Sequence, residues 1–434
     1  MSAGRDEVVR LDRAHVWHPY TAIDVWERTS PLVVARAEGS ALYDAGGKRY
    51  LDGNASWWVA ALGHAHPRLL RVLREQAATL DHCAFAGITH EPSARLAAEL
   101  AAVAPGAGLN RVFYTDNGSG SIEVAIKIAL QRWKLGGAAA AKKTRFVALD
   151  GAYHGDTLGP TSLGGVEVFR RPYQDVLFDV VHAPFPAPDA YARAFAAMSE
   201  LIERDHDTIA GVVVEPVVQG AAGMRVYDPR YLTELRALTQ EHDVLLIVDE
   251  VFTGYGRTGA MWACEHAGVT PDILCIGKVF ASVVPMAATL VTDAVYDAFR
   301  GGGRERALYY GHTFCGNPIG AALAREVLAI YRDEDVVART RPKAAKIAAA
   351  FERIAALPGV ERVRTQGMIG AADLAGSGSG GYLGEAGWRV YERALERGAY
   401  LRPLGDTVYV CPPLVIDDAD LDDLLRVLAE SITG

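Results

Sequence analysis

Pro271-Asp272-Ile273-Leu274-Cys275-Ile276-Gly277-Lys278 is apolar until it closes on a lysine, and Val244-Leu245-Leu246-Ile247-Val248-Asp249-Glu250 ends likewise on carboxylates, with Asp249 29 residues before Lys278. Short apolar runs of this kind read as strands covered on both faces, and the spacing predicts neighbours in a parallel sheet joined by a helix. Open α/β sheets take their ligands beyond the carboxyl ends of the strands. Asp249 and Lys278 would then share one crevice. A single charge at a strand end is more often just the point where the chain meets water. A third element shifts that balance: Tyr114-Thr115-Asp116-Asn117-Gly118-Ser119-Gly120-Ser121-Ile122-Glu123 runs into the helical pattern Val124-Ala125-Ile126-Lys127-Ile128-Ala129-Leu130. This is strand, small-residue turn and helix.

A helix start offers free N–H groups and a positive dipole end to an anion, and Gly118 and Gly120 let backbone approach a phosphate closely. Gly-Ser turns cap many helices that bind nothing. An amine for an aldehyde, an acid for a ring nitrogen and a cradle for a phosphate together point to pyridoxal phosphate.

Composition bounds the alternatives. The 434 residues, half of them apolar, suffice for a large core and two or three domains, and a net charge of −9 without a basic block argues against nucleic acid and anionic membranes as partners. Five cysteines, an odd number with no Cys-x-x-Cys pair, predict free thiols in a reducing, cytoplasmic setting and no zinc site. No leader-like or membrane-length apolar stretch is present.

The first sixty residues read as irregular segment and short strands, with a hairpin around Gly46-Gly47. From about 65 to 330, helices (68–80, 91–104, 121–134, 229–241) alternate with strands (111–115, 145–150, 209–216, 244–250, 272–277, 286–292), predicting a mostly parallel central sheet. A long helical stretch follows at about 317–356. The C-terminal part returns to strands near 361–374 and 407–411 and helices at 385–397 and 418–432, around a Gly-Ser run at 376–381. The expected organisation is an N-terminal segment (1–62), a large domain (63–330) and a C-terminal part (331–434), the two ends combining into a small α+β domain.

Gly254-Tyr255-Gly256-Arg257-Thr258-Gly259 spells a dinucleotide fingerprint, but the next strand ends in Lys278 rather than an acid, so it is set aside. His64-Ala65-His66 lacks carboxylate or thiol partners nearby and reads as a turn, so no metal is expected.

Gly63-His64-Ala65-His66-Pro67, Gly118-Ser119-Gly120, Tyr153-His154-Gly155, Glu215-Pro216-Val217, Asp249-Glu250-Val251, Lys278 and His312-Thr313-Phe314-Cys315-Gly316-Asn317-Pro318 resemble the motifs of class III, fold type I pyridoxal-phosphate aminotransferases over nearly the whole chain. Trp17-His18-Pro19-Tyr20-Thr21, Ser56-Trp57-Trp58, Val218–Met224 and Leu401–Asp406 resemble the branch that aminates 8-amino-7-oxononanoate in biotin synthesis. The resemblance implies that Lys278 carries the cofactor and moves protons, that Asp249 faces the ring nitrogen, and that Val251 and Tyr153 lie on opposite faces of the ring. Gly118, Ser119 and Gly120 would hold the phosphate, joined by Thr313 from the second subunit of a homodimer with shared active sites. Glu215 and Gln219 would lie near the phenolic oxygen. Tyr20, Trp57, Trp58, Tyr153 and Gly311 would line the substrate channel, and Arg402 would clamp a far carboxylate. Trp57 and Trp58, as strand neighbours, would face opposite ways, with core packing the competing reading. The implied donor is S-adenosylmethionine, with lysine the other option.

One departure stands out: Val279-Phe280-Ala281-Ser282-Val283-Val284-Pro285 replaces the Gly-rich stretch usual after this lysine. Branched residues resist positive φ, so the loop should either change path or be strained. An ω-amine:pyruvate aminotransferase, an aminomutase and a cofactor-binding but impaired protein are therefore alternative expectations.

Overall fold

The computed structural model describes residues 4–375 and 381–434, so of the Gly-Ser run 376–381 only Gly381 lies within the described residues. Seven strands form the central sheet in the spatial order Arg111–Thr115, Ala287–Val291, Ile273–Ile276, Leu245–Asp249, Ile209–Val214, Arg145–Leu149, Val180–Ala183. All neighbours are parallel except Ala287–Val291, which runs against both of its partners. The strands Ile209–Val214, Leu245–Asp249 and Ile273–Ile276 are buried at every residue, which is why their sequences are continuously apolar.

Asp249 pairs with Cys275 in the ladder, so Asp249 and Lys278 leave the sheet at the same edge, side by side. The connection between these two strands is not the expected helix. It is a run of turns with one short 3₁₀ segment, Ala263–Ala267. Gly256 and Gly259 take φ of 82° and 97°, which no right-handed helix accommodates, and the segment is held instead by buried Tyr255, Arg257 and Trp262.

The two ends of the chain meet in a four-stranded sheet, where Ala399–Tyr400 adds in parallel to Arg49–Asp52 beside Ala41–Asp44 and Val34–Glu38. A second small sheet, Val360–Gln366, Ile369–Leu374 and Thr407–Val410, is antiparallel. Helices Val336–Ile354 and Ala386–Glu396 pack against it, and Asp418–Thr433 packs on those helices.

Several expectations need correction. The first sixty residues contain helices Arg5–His15 and Ile23–Arg28; neither buries a residue in the chain, so no apolar stripe announces them. The stretch 317–356 is two helices, Pro318–Asp333 and Val336–Ile354, broken where Asp335 takes φ of 49°. Between 150 and 209 lie an unforeseen edge strand, Val180–Ala183, and the helix Tyr191–Asp205, whose buried Ala194, Met198, Leu201 and Ile202 keep helical spacing in an alanine-rich segment.

Candidate active site

The floor of the site is built from strand ends and one helix start. The helix Gly118–Leu135 begins after Asn117, whose side-chain oxygen accepts from Gly120 N at 2.8 Å. The helical ladder opens with Ser121 N donating to Asn117 O at 3.1 Å. Gly120 N–H is therefore committed to the cap, and the N–H groups of Gly118 and Ser119 are the ones that helix geometry leaves for an anion. A Cβ on Gly118 would lie 2.7 Å from Val251 Cγ1, so only glycine lets the helix start pack this closely on the strand end. Val251 thus sits directly behind the cradle.

Asp249 is buried, accepting from Val251 N at 3.0 Å and pairing with His154 Nδ1 at 2.8 Å. Because a carboxylate can only accept, this pair places the proton on His154 Nδ1. Lys278, at φ of 49°, turns its Nζ over the Trp58 ring, 5.2 Å from the centroid. The side chain keeps a little access to solvent. Desolvation nevertheless holds its pKa below the ordinary lysine range, against the opposing pull of Asp249, Glu215, Cys411 and Asp156. Glu215 accepts from Tyr153 N at 3.0 Å and Gly220 N at 2.9 Å, and burial pushes its pKa up to about 7. Next to it both side-chain polar atoms of Gln219 are buried without an intrachain partner.

Pyridoxal phosphate fits this donor set. An amine with lowered pKa, a braced carboxylate, a free amide and two unused N–H groups each lack what that molecule carries.

The wall is aromatic. Tyr153 OH lies 3.2 Å from Tyr20 OH, and both donate to Asp156, at 2.9 Å and 2.6 Å. Tyr20 also stands edge-on to Trp57 and Phe169, each 5.4 Å away, and Phe169 packs on Tyr382 at 4.8 Å. Arg402 lies between Trp57 and Trp388, 5.3 Å from each ring, and donates to Tyr20 O at 3.2 Å. No carboxylate ion-pairs with it among the described residues.

Trp57 and Trp58 do not sit on a strand. Ala55, Ser56, Trp57 and Trp58 have φ of 46°, 45°, 63° and 73°, a single left-handed turn that costs about 1–2 kcal/mol per residue. Strand alternation therefore does not apply, and both indoles reach the site: Trp58 inside against Phe252 and Lys278, Trp57 at the rim against Tyr20 and Arg402.

Gly311 and Thr313 are exposed, on a loop whose His312 lies 3.5 Å from Asp116, and the single chain does not bring them to Lys278. The loop after Lys278 solves its conformational problem at one residue: positive φ falls on Ser282 (58°), while the valines keep ordinary angles and Val279 and Phe280 are buried. Sequence reasoning assigned no role to His154, Asp156, Phe169 or Tyr382. The first two stand beside Tyr153 and were detectable from that proximity; Phe169 and Tyr382 arrive from loops with no local signal.

The chain belongs to the class-III aminotransferases: the family model matches residues 22–432. It is a pyridoxal-phosphate-dependent enzyme of the α/β fold type I. It is similar to the adenosylmethionine-8-amino-7-oxononanoate aminotransferases of Geobacter sulfurreducens (39% identity, 97% of this chain and 96% of that one) and Synechococcus elongatus (39%, 96% and 98%). Among solved structures, the enzyme of that name from Methanocaldococcus jannaschii superposes with a TM-score of 0.94 at 34% identity, covering 99% of each chain. An (S)-enantioselective ω-transaminase from Thermomicrobium roseum reaches the same TM-score at 30% identity, with 100% and 99% covered. Fold alone thus does not separate the two activities.

Proposed function

We propose that this enzyme transfers an amino group to the ketone of 8-amino-7-oxononanoate, forming 7,8-diaminononanoate for biotin synthesis, with S-adenosylmethionine as donor. The observation that carries this reading is the pairing of two charges along one aromatic channel. Arg402, without an acid partner among the described residues, suits the terminal carboxylate, while Asp156 between two tyrosines suits the ammonium beside the ketone. Tyr20, Trp57 and Phe169 suit the methylene chain between them.

Bound pyridoxal phosphate makes the proton on the amine-bearing carbon acidic by drawing electrons into its ring. Lys278, whose pKa desolvation lowers, would carry the cofactor, and its Nζ would serve as the group that moves that proton. Asp249, oriented by His154, would be the acid that faces the ring nitrogen. The N–H groups of Gly118 and Ser119 would hold the phosphate, Tyr153 and Val251 would cover the two ring faces, and Gln219 and Glu215 would serve the phenolic oxygen. Thr313 and Gly311 enter from the second subunit of a homodimer, which explains why they stand exposed in the single chain. The enzyme works in the cytosol; its five cysteines are free, and no described helix is long and apolar enough to cross a membrane.

The test separates the half-reactions. Holoenzyme incubated with S-adenosylmethionine, lysine or 1-phenylethylamine should convert to the aminated cofactor fastest with the first, and 8-amino-7-oxononanoate should restore the starting absorbance where pyruvate does not. Restoration by pyruvate alone would overturn the assignment in favour of an ω-transaminase.

A further inference from the structure

The left-handed turn that carries both tryptophans is pinned by side chains that the reaction itself does not use. Ser56 Oγ donates to Asp52 Oδ2 at 2.7 Å, and His64 Nε2 meets the same oxygen at 2.8 Å. Ser56 Oγ and His64 Nε2 lie 3.4 Å apart, closing a triangle. The Asp52 side chain has no solvent access, and its other oxygen is buried without a partner. Burying a carboxylate with half its acceptor capacity unmet is unfavourable, so the acid is retained for something other than filling space. The His64 backbone is in turn anchored by Gly39, with N–H···O bonds of 2.8 and 3.1 Å in the two directions.

The brace stands at the joint between the ends of the chain. Asp52 pairs in the ladder with Tyr400, two residues before Arg402, so the strand that anchors the triangle also delivers the guanidinium. Trp57 links them: its indole packs on Tyr20 and lies under Arg402, yet the residue is 41% exposed and no core holds it. Its direction is therefore set by the backbone of Ala55–Trp58, and that backbone is in a conformation L-residues avoid unless their surroundings over-determine it.

We propose that Asp52, Ser56 and His64 are positioning residues that fix the Trp57 indole, and through it Arg402, and so set the affinity for the far end of the acceptor. The inference rests on the reading of Arg402 as the carboxylate site.

In holoenzyme, His64→Ala should raise KM for 8-amino-7-oxononanoate about tenfold, leave kcat at saturation within about twofold and leave cofactor absorbance unchanged. His64→Asn, whose amide can still donate to Asp52, should recover most of the loss. Trp57→Ala should raise KM similarly, and adding His64→Ala to it should change little more, because the two act in series. An unchanged KM in His64→Ala, additive effects in the double variant, or equal loss of kcat and cofactor would each overturn the proposal. Should His64→Ala not fold, Ser56→Ala removes one donor only and carries the same cycle with a smaller expected rise. If wild type does not accept this keto acid, the substrate assignment fails alone. The brace is then read from acrylamide quenching of Trp57 emission, taken as the difference from Trp57→Phe. That quenching should increase in His64→Ala, and unchanged quenching overturns the brace.

Discussion

The floor and the rim of this site are built by different rules. On the floor, Asp249, Lys278 and the Gly118–Ser119 turn follow neighbouring buried strands and open a long helix. At the rim, Tyr20, Trp57, Phe169, Tyr382 and Arg402 come from five separate segments, and several positions there hold positive φ without being glycine. On the proposed reading, chemistry is carried by parts that many sequences can place, because a strand end needs only an apolar run before it. On the proposed reading, selectivity is carried by parts placed jointly from separate segments. Substitutions on the floor should therefore abolish turnover, and those at the rim should redirect it.

The largest effect expected is from Lys278→Ala, which should lower turnover by more than about a thousandfold and abolish covalent labelling by borohydride. Peptide mapping that finds the label on Lys127 in wild type would remove Lys278 from the floor. Asp249→Asn should retain cofactor but lower kcat on the order of a hundredfold, since an amide carries no charge for the ring nitrogen. His154→Ala should cost less, because it acts through Asp249.

A rim substitution should look different. Arg402→Ala is expected to raise KM for the keto acid by roughly ten- to fiftyfold with little change in kcat, and Arg402→Lys should not restore it, lacking the planar fork. Equal KM values would erase the functional distinction between the regions.

Two smaller effects concern stability. Glu215 keeps its proton to about pH 7 in the folded chain but loses it near 4.5 when unfolded, so between those values the unfolded chain binds fewer protons. Stability of the cofactor-free protein should fall as pH rises across that window, by on the order of 3 kcal/mol from this group. Glu250, also pushed up to about 7 by burial, adds a slope of the same sign. Glu215→Gln should flatten part of the fall in Tm between pH 5 and 7.5, and an unaltered slope would mean Glu215 is charged in the fold. Ser282→Gly should relieve the positive φ after Lys278 and stabilise by roughly 0.5–1 kcal/mol. A drop in Tm instead would show that the loop is not strained.

The sequence by itself determined a mostly parallel central sheet, all but its edge strand Val180–Ala183, the shared edge of Asp249 and Lys278, and the helix start at Gly118, because apolar runs and helix starts are local patterns with local causes. It also carried the motifs of the aminotransferase class. It did not disclose helices Arg5–His15 and Ile23–Arg28, which bury nothing within the chain and so need no apolar stripe. Nor did it disclose that Trp57 and Trp58 ride a left-handed turn, since an ordinary reading of Ala-Ser-Trp-Trp expects right-handed or extended backbone. Tertiary structure holds that turn, in which Trp58 Nε1 donates to Tyr409 OH at 3.1 Å and Asp52, which accepts from Ser56, also meets His64. The same holds for Phe169 and Tyr382, brought to Tyr20 by long-range packing, which no spacing along the chain encodes.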